Sequence, residues 1–167
     1  MKDESIDAVE LLIAQHRAME RLLQQVKETD DAEKRSRLFA QAADQLTLHI
    51  KAEEEIFYPA VNATRTEDDL LESLEEHLSL KRLLADMLAL GPEDKLFEPK
   101  FKVLKEQTEH HHKEEEEHLF PVVNQMIGLQ QRQNLGHDML ALQHQLREAG
   151  KPREVVVKET GAAASLE

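Results

Sequence analysis

The sequence predicts an all-α fold: an up-down-up-down four-helix bundle with a short fifth C-terminal helix. The chain of 167 residues contains only 5 Gly, 5 Pro and 4% aromatic residues, and its Leu-rich, Glu-rich composition favours helices over sheet. Apolar residues recur at helical spacing in each long segment, as expected for amphipathic helices that share a core. A chain of this length is expected to form one domain, which we place at residues 1–149.

The first three helices are delimited by turn and capping signals. The acidic turn at residues 29–31 ends the first helix, and the second runs from about residue 36 to about residue 62. The third begins after Thr66 with acidic residues in its first turn, and Gly91-Pro92 stops it. Each helix carries polar candidates on its apolar stripe: His16, then His49 with Glu53 one turn later, then His77.

The fourth helix offers three overlapping His/Glu pairs, because residues 110–112 are all His and residues 114–117 are all Glu. The phase of its apolar residues selects His111 and Glu115 as the pair on the core face. These phase markers are Phe101, Leu104, Leu119 and Val122. The other two pairs fall on faces expected to be solvated: His110 with Glu114, and His112 with Glu116.

Residues 129–149 suggest a shorter fifth helix that packs on the bundle. The polar, Gly- and Ala-containing residues 150–167 are expected to form a disordered tail. Its final Leu-Glu pair is of the kind that an expression vector leaves. Three further histidines are treated as peripheral: His118, His137 and His144.

The two helical hairpins repeat one motif. His-x-x-x-Glu, followed six residues later by Pro, occurs as His49, Glu53 and Pro59 and again as His111, Glu115 and Pro121. The histidine on the first arm lies 33 residues before the motif in one copy and 34 in the other. Such self-similarity identifies one supersecondary unit used twice. All four histidines lie at similar distances from the turns of their hairpins, at about 1.5 Å of helix length per residue. They are therefore expected near the mid-height of the bundle, where bundles hold cofactors.

Composition narrows the function classes. With 34 acidic and 21 basic residues the net charge is −13, which would repel phosphate backbones, so no nucleic-acid partner is expected. The sequence shows neither a secretion signal nor about 20 consecutive apolar residues, so we expect no membrane association and a cytoplasmic location. The absence of Cys leaves imidazole and carboxylate as metal ligands, which favours hard or borderline metals such as iron.

Four imidazoles and two carboxylates that converge in a core would raise the free energy of the folded state if they had no partner, and a bound metal removes that cost. A lone His/Glu pair arises easily by chance in a Glu-rich helix, but two sets with matching spacing indicate a metal centre. The competing interpretation is a metal-free bundle whose histidines form a hydrogen-bonded core network.

At these residues the chain resembles the hemerythrin-like family, also called the HHE cation-binding domain, over about residues 8–147. The resemblance implies a non-haem di-iron centre with an oxo or hydroxo bridge. His16 and His49 would hold one iron, and His77 and His111 the other. Glu53 and Glu115 would bridge them. Zinc or manganese also suits such nitrogen and oxygen ligands.

This chain departs from the oxygen-carrying members of the family in two respects. Oxygen-carrying members have another histidine one turn before the ligand on the third helix, where this chain has Ser73, and they space the last carboxylate five residues after its histidine rather than four. The iron at His77 and His111 would therefore have more room for an added ligand. Reversible oxygen carriage by the familiar route is accordingly not expected of this chain.

The sequence leads to two function hypotheses. The first is a di-iron protein that binds, senses or reduces a small oxidant such as dioxygen, peroxide or nitric oxide. The alternative is an iron- or oxygen-responsive regulatory or interaction module without turnover. Tyr58 is either a redox or hydrogen-bonding neighbour of the centre or a helix-end aromatic that packs on Pro59.

Overall fold

The computed structural model describes residues 5–167, and helices are the regular elements of that part of the chain. In order they are α1 (Ala8–Glu28), α2 (Ala32–Ala52), a π-helical turn (Glu53–Phe57), α3 (Tyr58–Val61), α4 (Glu67–Leu88), α5 (Phe97–Glu114), a second π-helical turn (Glu115–Leu119), α6 (Phe120–Met126), α7 (Leu129–Glu148) and α8 (Arg153–Val157). The all-α class predicted from the sequence is confirmed.

Two antiparallel hairpins form the bundle. α1 packs on α2, and α4 packs on α5. The N-termini of the first hairpin are capped by aspartates: Asp7 accepts a hydrogen bond from the Val9 N–H (2.8 Å), and Asp31 accepts one from the Lys34 N–H (2.7 Å). Apolar residues fill the bundle on either side of its middle, leaving the middle itself to polar side chains.

Each second arm contains a π-helical turn that begins at the glutamate of the repeated motif. The N–H of Tyr58 bonds the carbonyl of Glu53, five residues earlier, instead of the usual four. The next residue is Pro59, which has no N–H and would clash with the carbonyl four residues before it in a regular helix. The second arm repeats this arrangement, with the Phe120 N–H on the Glu115 carbonyl ahead of Pro121. The motif proline therefore accounts for a local widening at each glutamate.

Helix α7 is not the short helix that was expected: its 20 residues nearly equal the 21 of α1. It lies across α1 and α2, and Gly136 allows this close approach. A Cβ at Gly136 would lie 2.1 Å from the Ile6 carbonyl oxygen. Docking on the first hairpin, rather than propensity alone, therefore supports a full-length helix.

Gly136→Ala is expected to lower the free energy of unfolding by about 1–3 kcal/mol, because overpacking against backbone cannot be relieved by a rotamer change. Denaturant titration would measure the loss. Gly91→Ala is the control, since nothing lies within 4 Å of the added Cβ, and it should stay within about 0.5 kcal/mol of the parent. Equal stabilities for the two variants would contradict the described packing of α7.

The residues after Gly150 differ from the expected disordered tail. α8 lies against α2 and α4, and its Val156 is fully buried. Beyond it, the Glu159 carboxylate accepts hydrogen bonds from Lys51 and Lys81 at 2.9 Å each, and three residues near the end pack against the core: Ala163, Ala164 and Leu166. Polar composition suggested disorder, but buried lysines of the bundle hold this segment in place.

Within residues 5–167, no helix combines the length and the hydropathy that crossing a bilayer requires.

Candidate metal centre

The six side chains predicted as ligands meet in the middle of the bundle, and all are buried. His16 and His77 come from the middles of α1 and α4, whereas His49 and His111 come from the last turns of α2 and α5. The two glutamates open the π-helical turns: Glu53 and Glu115. The structure thus brings the predicted set together, and the role of each residue as a ligand stays a prediction.

The Nε2 atoms of the four histidines point toward one another. The Nε2 atoms of His16 and His49 are 3.1 Å apart, and those of His77 and His111 are 3.0 Å apart. Separations this short between nitrogen donors bring two imidazoles within reach of one ion. The histidines therefore form two pairs, one from each hairpin.

The carboxylates connect the two pairs. Oε1 of Glu53 lies 3.2 Å from His49 Nε2 and 3.3 Å from His77 Nε2. Oε1 of Glu115 lies 3.3 Å from His111 Nε2 and 3.5 Å from His16 Nε2. Each carboxylate therefore contacts one imidazole from each hairpin, as a group that bridges two ions must.

The outward Nδ1 atom of each of these four histidines has a hydrogen-bond acceptor. His16 Nδ1 is 2.9 Å from Glu116 Oε2, and His77 Nδ1 is 3.0 Å from Glu54 Oε2. The other two contacts are His49 Nδ1 with Gln15 Oε1 (2.9 Å) and His111 Nδ1 with Glu76 Oε1 (3.1 Å). An Nδ1–H that donates to these oxygens leaves the lone pair of Nε2 facing inward, which orients the ring as a metal ligand.

These four orienting partners were not predicted from the sequence, although the duplication contains a signal for them. Gln15 and Glu76 each precede the first-arm histidine of a hairpin and bond the second-arm histidine of the same hairpin. Glu54 and Glu116 each follow the motif glutamate and bond the first-arm histidine of the other hairpin. The internal repeat thus extends beyond the ligands to the residues that hold them.

The electrostatics of the two carboxyl groups suit a cation. Both oxygens of Glu53 and Oε1 of Glu115 are buried and, among the described residues, have no hydrogen-bond partner. Burial opposes the charge of Glu53, but the adjacent His49 holds its pKa well below the usual range. Burial and the charge of Glu53 raise the pKa of Glu115 well above it. Without a cation the pair therefore keeps one negative charge, and a bound metal would stabilise a second.

The pKa values of His16 and His77 are also shifted in opposite directions. Burial and the neighbouring His49 lower the pKa of His16 to about 2. Burial also disfavours a charged His77, but the adjacent carboxylates of Glu53 and Glu54 raise its pKa to about 9. In the absence of metal, a proton on His77 thus partly replaces the positive charge that the carboxylates require.

Tyr58 is a hydrogen-bonding neighbour of the centre. Its hydroxyl donates to Glu115 Oε2 at 2.8 Å and lies 3.4 Å from His77 Nε2. Burial and the charges of Glu115 and Glu53 raise the pKa of Tyr58 well above its ordinary value, so the phenol keeps its proton. The hydroxyl contact supports the first of the two interpretations offered by the sequence.

His112 was predicted to be solvated, and that prediction is wrong. Its side chain is 1% exposed, and its ring stacks on His16 with centroids 3.7 Å apart and planes 8° apart. Side chains at adjacent helix positions point about 100° apart around the helix axis. Because α5 contacts both α4 and α1, both His111 and His112 are buried. Its expected face-mate Glu116 is also not simply solvated, because it holds His16.

A small cavity of about 30 Å³ lies beside Glu115. Its lining is mostly acidic: Asp69, Glu72, Ser73, Glu76, Glu114, Glu115, His118 and Leu119. Ser73 is part of this lining, and the volume suffices for one or two water-sized molecules beside Glu115.

Comparisons with known proteins find relatives of this chain. The family model described as Hemerythrin HHE cation binding domain matches residues 7–123. A curated DNA nickase from Nostoc sp. (strain PCC 7120 / SAG 25.82 / UTEX 2576) is 26% identical over 133 residues, covering 80% of this chain but only 38% of that relative. A crystal structure of a hemerythrin HHE cation binding domain-containing protein from Mycobacterium kansasii superposes with a TM-score of 0.78 at 23% identity, covering 92% of this chain and 98% of the other. The structural likeness shows the shared fold.

Proposed function

Because the chain belongs to the hemerythrin HHE cation binding domain family, we propose that it holds two iron ions and binds or reduces a small oxidant. The family match and the buried His/Glu cluster support binding of a metal cation. The observation that carries the di-iron proposal is the contact of each carboxylate with one imidazole from each hairpin. One ion would take His16 and His49, the other His77 and His111, with Glu53 and Glu115 between them.

The donor set fits iron. Imidazole nitrogens and carboxylate oxygens suit iron, and they also bind zinc or manganese. The partnerless oxygens of Glu53 and Glu115 mark the place where a cation would satisfy buried charge. The acceptors of the four Nδ1 atoms would keep the imidazoles in place as the ions change charge, since such partners fix the ring and tune the ligand. They are Gln15, Glu54, Glu76 and Glu116.

The proposed oxidants are dioxygen, peroxide and nitric oxide, and the size of the cavity beside Ser73 supports this choice. Bound iron would supply the electrons or the open coordination position that such molecules require. The protein contributes a buried site, a small cavity beside it and a hydrogen-bond donor at the Tyr58 hydroxyl, 2.8 Å from Glu115 Oε2.

The test begins with protein purified without a metal-affinity step and loaded anaerobically with ferrous iron. We expect two iron ions per chain and, on exposure to air, a new charge-transfer absorption typical of an oxo-bridged pair. Peroxide and nitric oxide consumption would then be followed over many turnovers. A fully loaded protein that gives no absorption change and consumes no oxidant would overturn the oxidant proposal, and one that retains no cation would overturn the metal centre.

A sensing module is the second candidate, and one chain of contacts favours it. His77 bonds Glu54, Glu54 accepts a hydrogen bond from Lys81 at 2.8 Å, and Lys81 also binds Glu159 in the C-terminal segment. A change of charge at the metal could therefore alter the docking of residues that reach the surface. Metal-dependent protection of this segment from hydrogen exchange, without turnover, would support sensing over catalysis.

DNA nicking, the activity after which the Nostoc relative is named, is disfavoured for this chain. The chain spans less than two fifths of that relative's length, and its net charge of −13 disfavours contact with a phosphate backbone. We propose instead that its partners are metal ions and small oxidants.

A further inference from the structure

Among residues 5–167, His112 is a buried histidine that lacks a hydrogen-bond partner. Its side chain is 1% exposed, yet neither ring nitrogen has a hydrogen-bond partner among the described residues. Its donor atoms lie with those of His16 and His49 in one group in which all ligand atoms are within 4.8 Å of one another. The ring faces His16 in a stack and meets His49 edge-on, with centroids 5.3 Å apart.

Burial of an imidazole in this state is costly. An unsatisfied polar atom in a core destabilises the folded state, and an apolar side chain would fill the same space without that cost. The duplication supplies the comparison. Ile50 stands one residue after His49, as His112 stands one residue after His111, and Ile50 is equally buried. The fold therefore accepts an apolar residue at this position of the repeat, and a histidine there requires a separate explanation.

We propose that His112 is a third imidazole ligand of the metal ion held by His16 and His49. The inference rests on the proposed function, because it assigns a further ligand to the same centre. Coordination would satisfy a ring nitrogen that otherwise has no partner, next to two imidazoles already directed at one point. It also explains why the residue is histidine in only one half of the repeat.

The assignment makes the two ions unequal. The ion at His16 and His49 gains a third nitrogen, whereas the one at His77 and His111 has two. The latter pair lies beside Glu115, which also lines the cavity at Ser73. An added small ligand would therefore be expected beside His77 and His111, the pair that would have the fewer nitrogen ligands, next to the cavity that Glu115 lines.

The experiment is an anaerobic titration of the metal-free full chain with ferrous iron, with bound iron counted after removal of the excess. His112→Ile copies the residue of the other hairpin, and His118→Ile is the control on the same arm, because His118 is 61% exposed. We expect the wild-type chain and the control to bind two ions. We expect His112→Ile to keep one site and to weaken the other at least about 10–100-fold, the range caused by losing a supporting partner alone.

The outcomes separate the two proposals. Two sites of unchanged affinity in His112→Ile would overturn the assignment of His112 and leave the di-iron proposal standing. A wild-type chain that binds no iron would overturn the proposed function itself. If His112→Ile does not fold, a crystal structure of the iron-loaded wild-type chain decides: a His112 nitrogen within about 2.3 Å of an ion, close to ordinary metal–imidazole lengths, supports the assignment, and a longer distance overturns it.

Discussion

Glu53→Gln is expected to abolish tight metal binding at both halves of the centre. The carboxylate contacts His49 on one side and His77 on the other, so neutralising it removes charge from both ion positions. Breaking a buried charge pair costs about 3–5 kcal/mol, and each 1.4 kcal/mol is a tenfold change in affinity. Iron affinity should therefore fall at least about 100-fold. The measurement is ferrous iron bound per chain at increasing free metal.

Stability gives a second measurement of the same variant. A ligand at 100 times its dissociation constant stabilises the folded state by about 2.7 kcal/mol, so the wild-type chain should unfold at higher denaturant concentration when iron is present. Glu53→Gln should lose this difference. Glu55→Gln is the matched control, because Glu55 lies two residues away in the same turn with its side chain 47% exposed. If Glu53→Gln bound two ions as tightly as Glu55→Gln, Glu53 would not be a bridging ligand.

Lys81→Met is expected to be the most destabilising substitution outside the ligands. The Lys81 side chain is 2% exposed, and its ammonium binds Glu54 at 2.8 Å and Glu159 at 2.9 Å. Methionine preserves most of the volume but leaves two carboxylates without their shared cation. Removal of one partner of a buried pair costs about 3–5 kcal/mol. Denaturant titration of the metal-free protein would measure this loss.

The same substitution should also affect the metal. Glu54 holds His77 by its other oxygen, so a displaced Glu54 would weaken the iron affinity of the His77 pair by about 10–100-fold. Lys100→Met is the control: its ion pair with Asp86 spans 3.4 Å with both side chains partly exposed, and exposed pairs contribute about 0–1 kcal/mol. Equal losses of stability in the two lysine variants would show that the buried network does not hold the C-terminal segment.

Much of the bundle and the ligand set was predictable because the information is local and repeated. A helical stripe shows which residues face inward, and His49 with Glu53 falls on one stripe because four residues make about one turn. The equal spacing of the two copies then places the histidines at one level. None of these steps requires knowledge of how one helix packs on another.

The orienting contacts depended on packing between helices. Glu116 belongs to the second hairpin but holds His16 of the first, and no spacing along one helix reveals a partner on another. Periodicity also assigned His112 to solvent, because it treats one narrow face as buried. The neighbouring helices cover a wider arc of α5 and enclose His112 as well.

The sequence by itself determined the helical class, the duplicated hairpin and the six inward side chains, since these follow from periodicity and spacing. Only the tertiary structure decided the order of the C-terminal segment, where Lys51 and Lys81 meet Glu159, and the burial of His112 against His16. The physical reason is the same in both cases. A buried charge or imidazole depends on partners from distant segments, and the folded chain alone brings those partners within bonding distance.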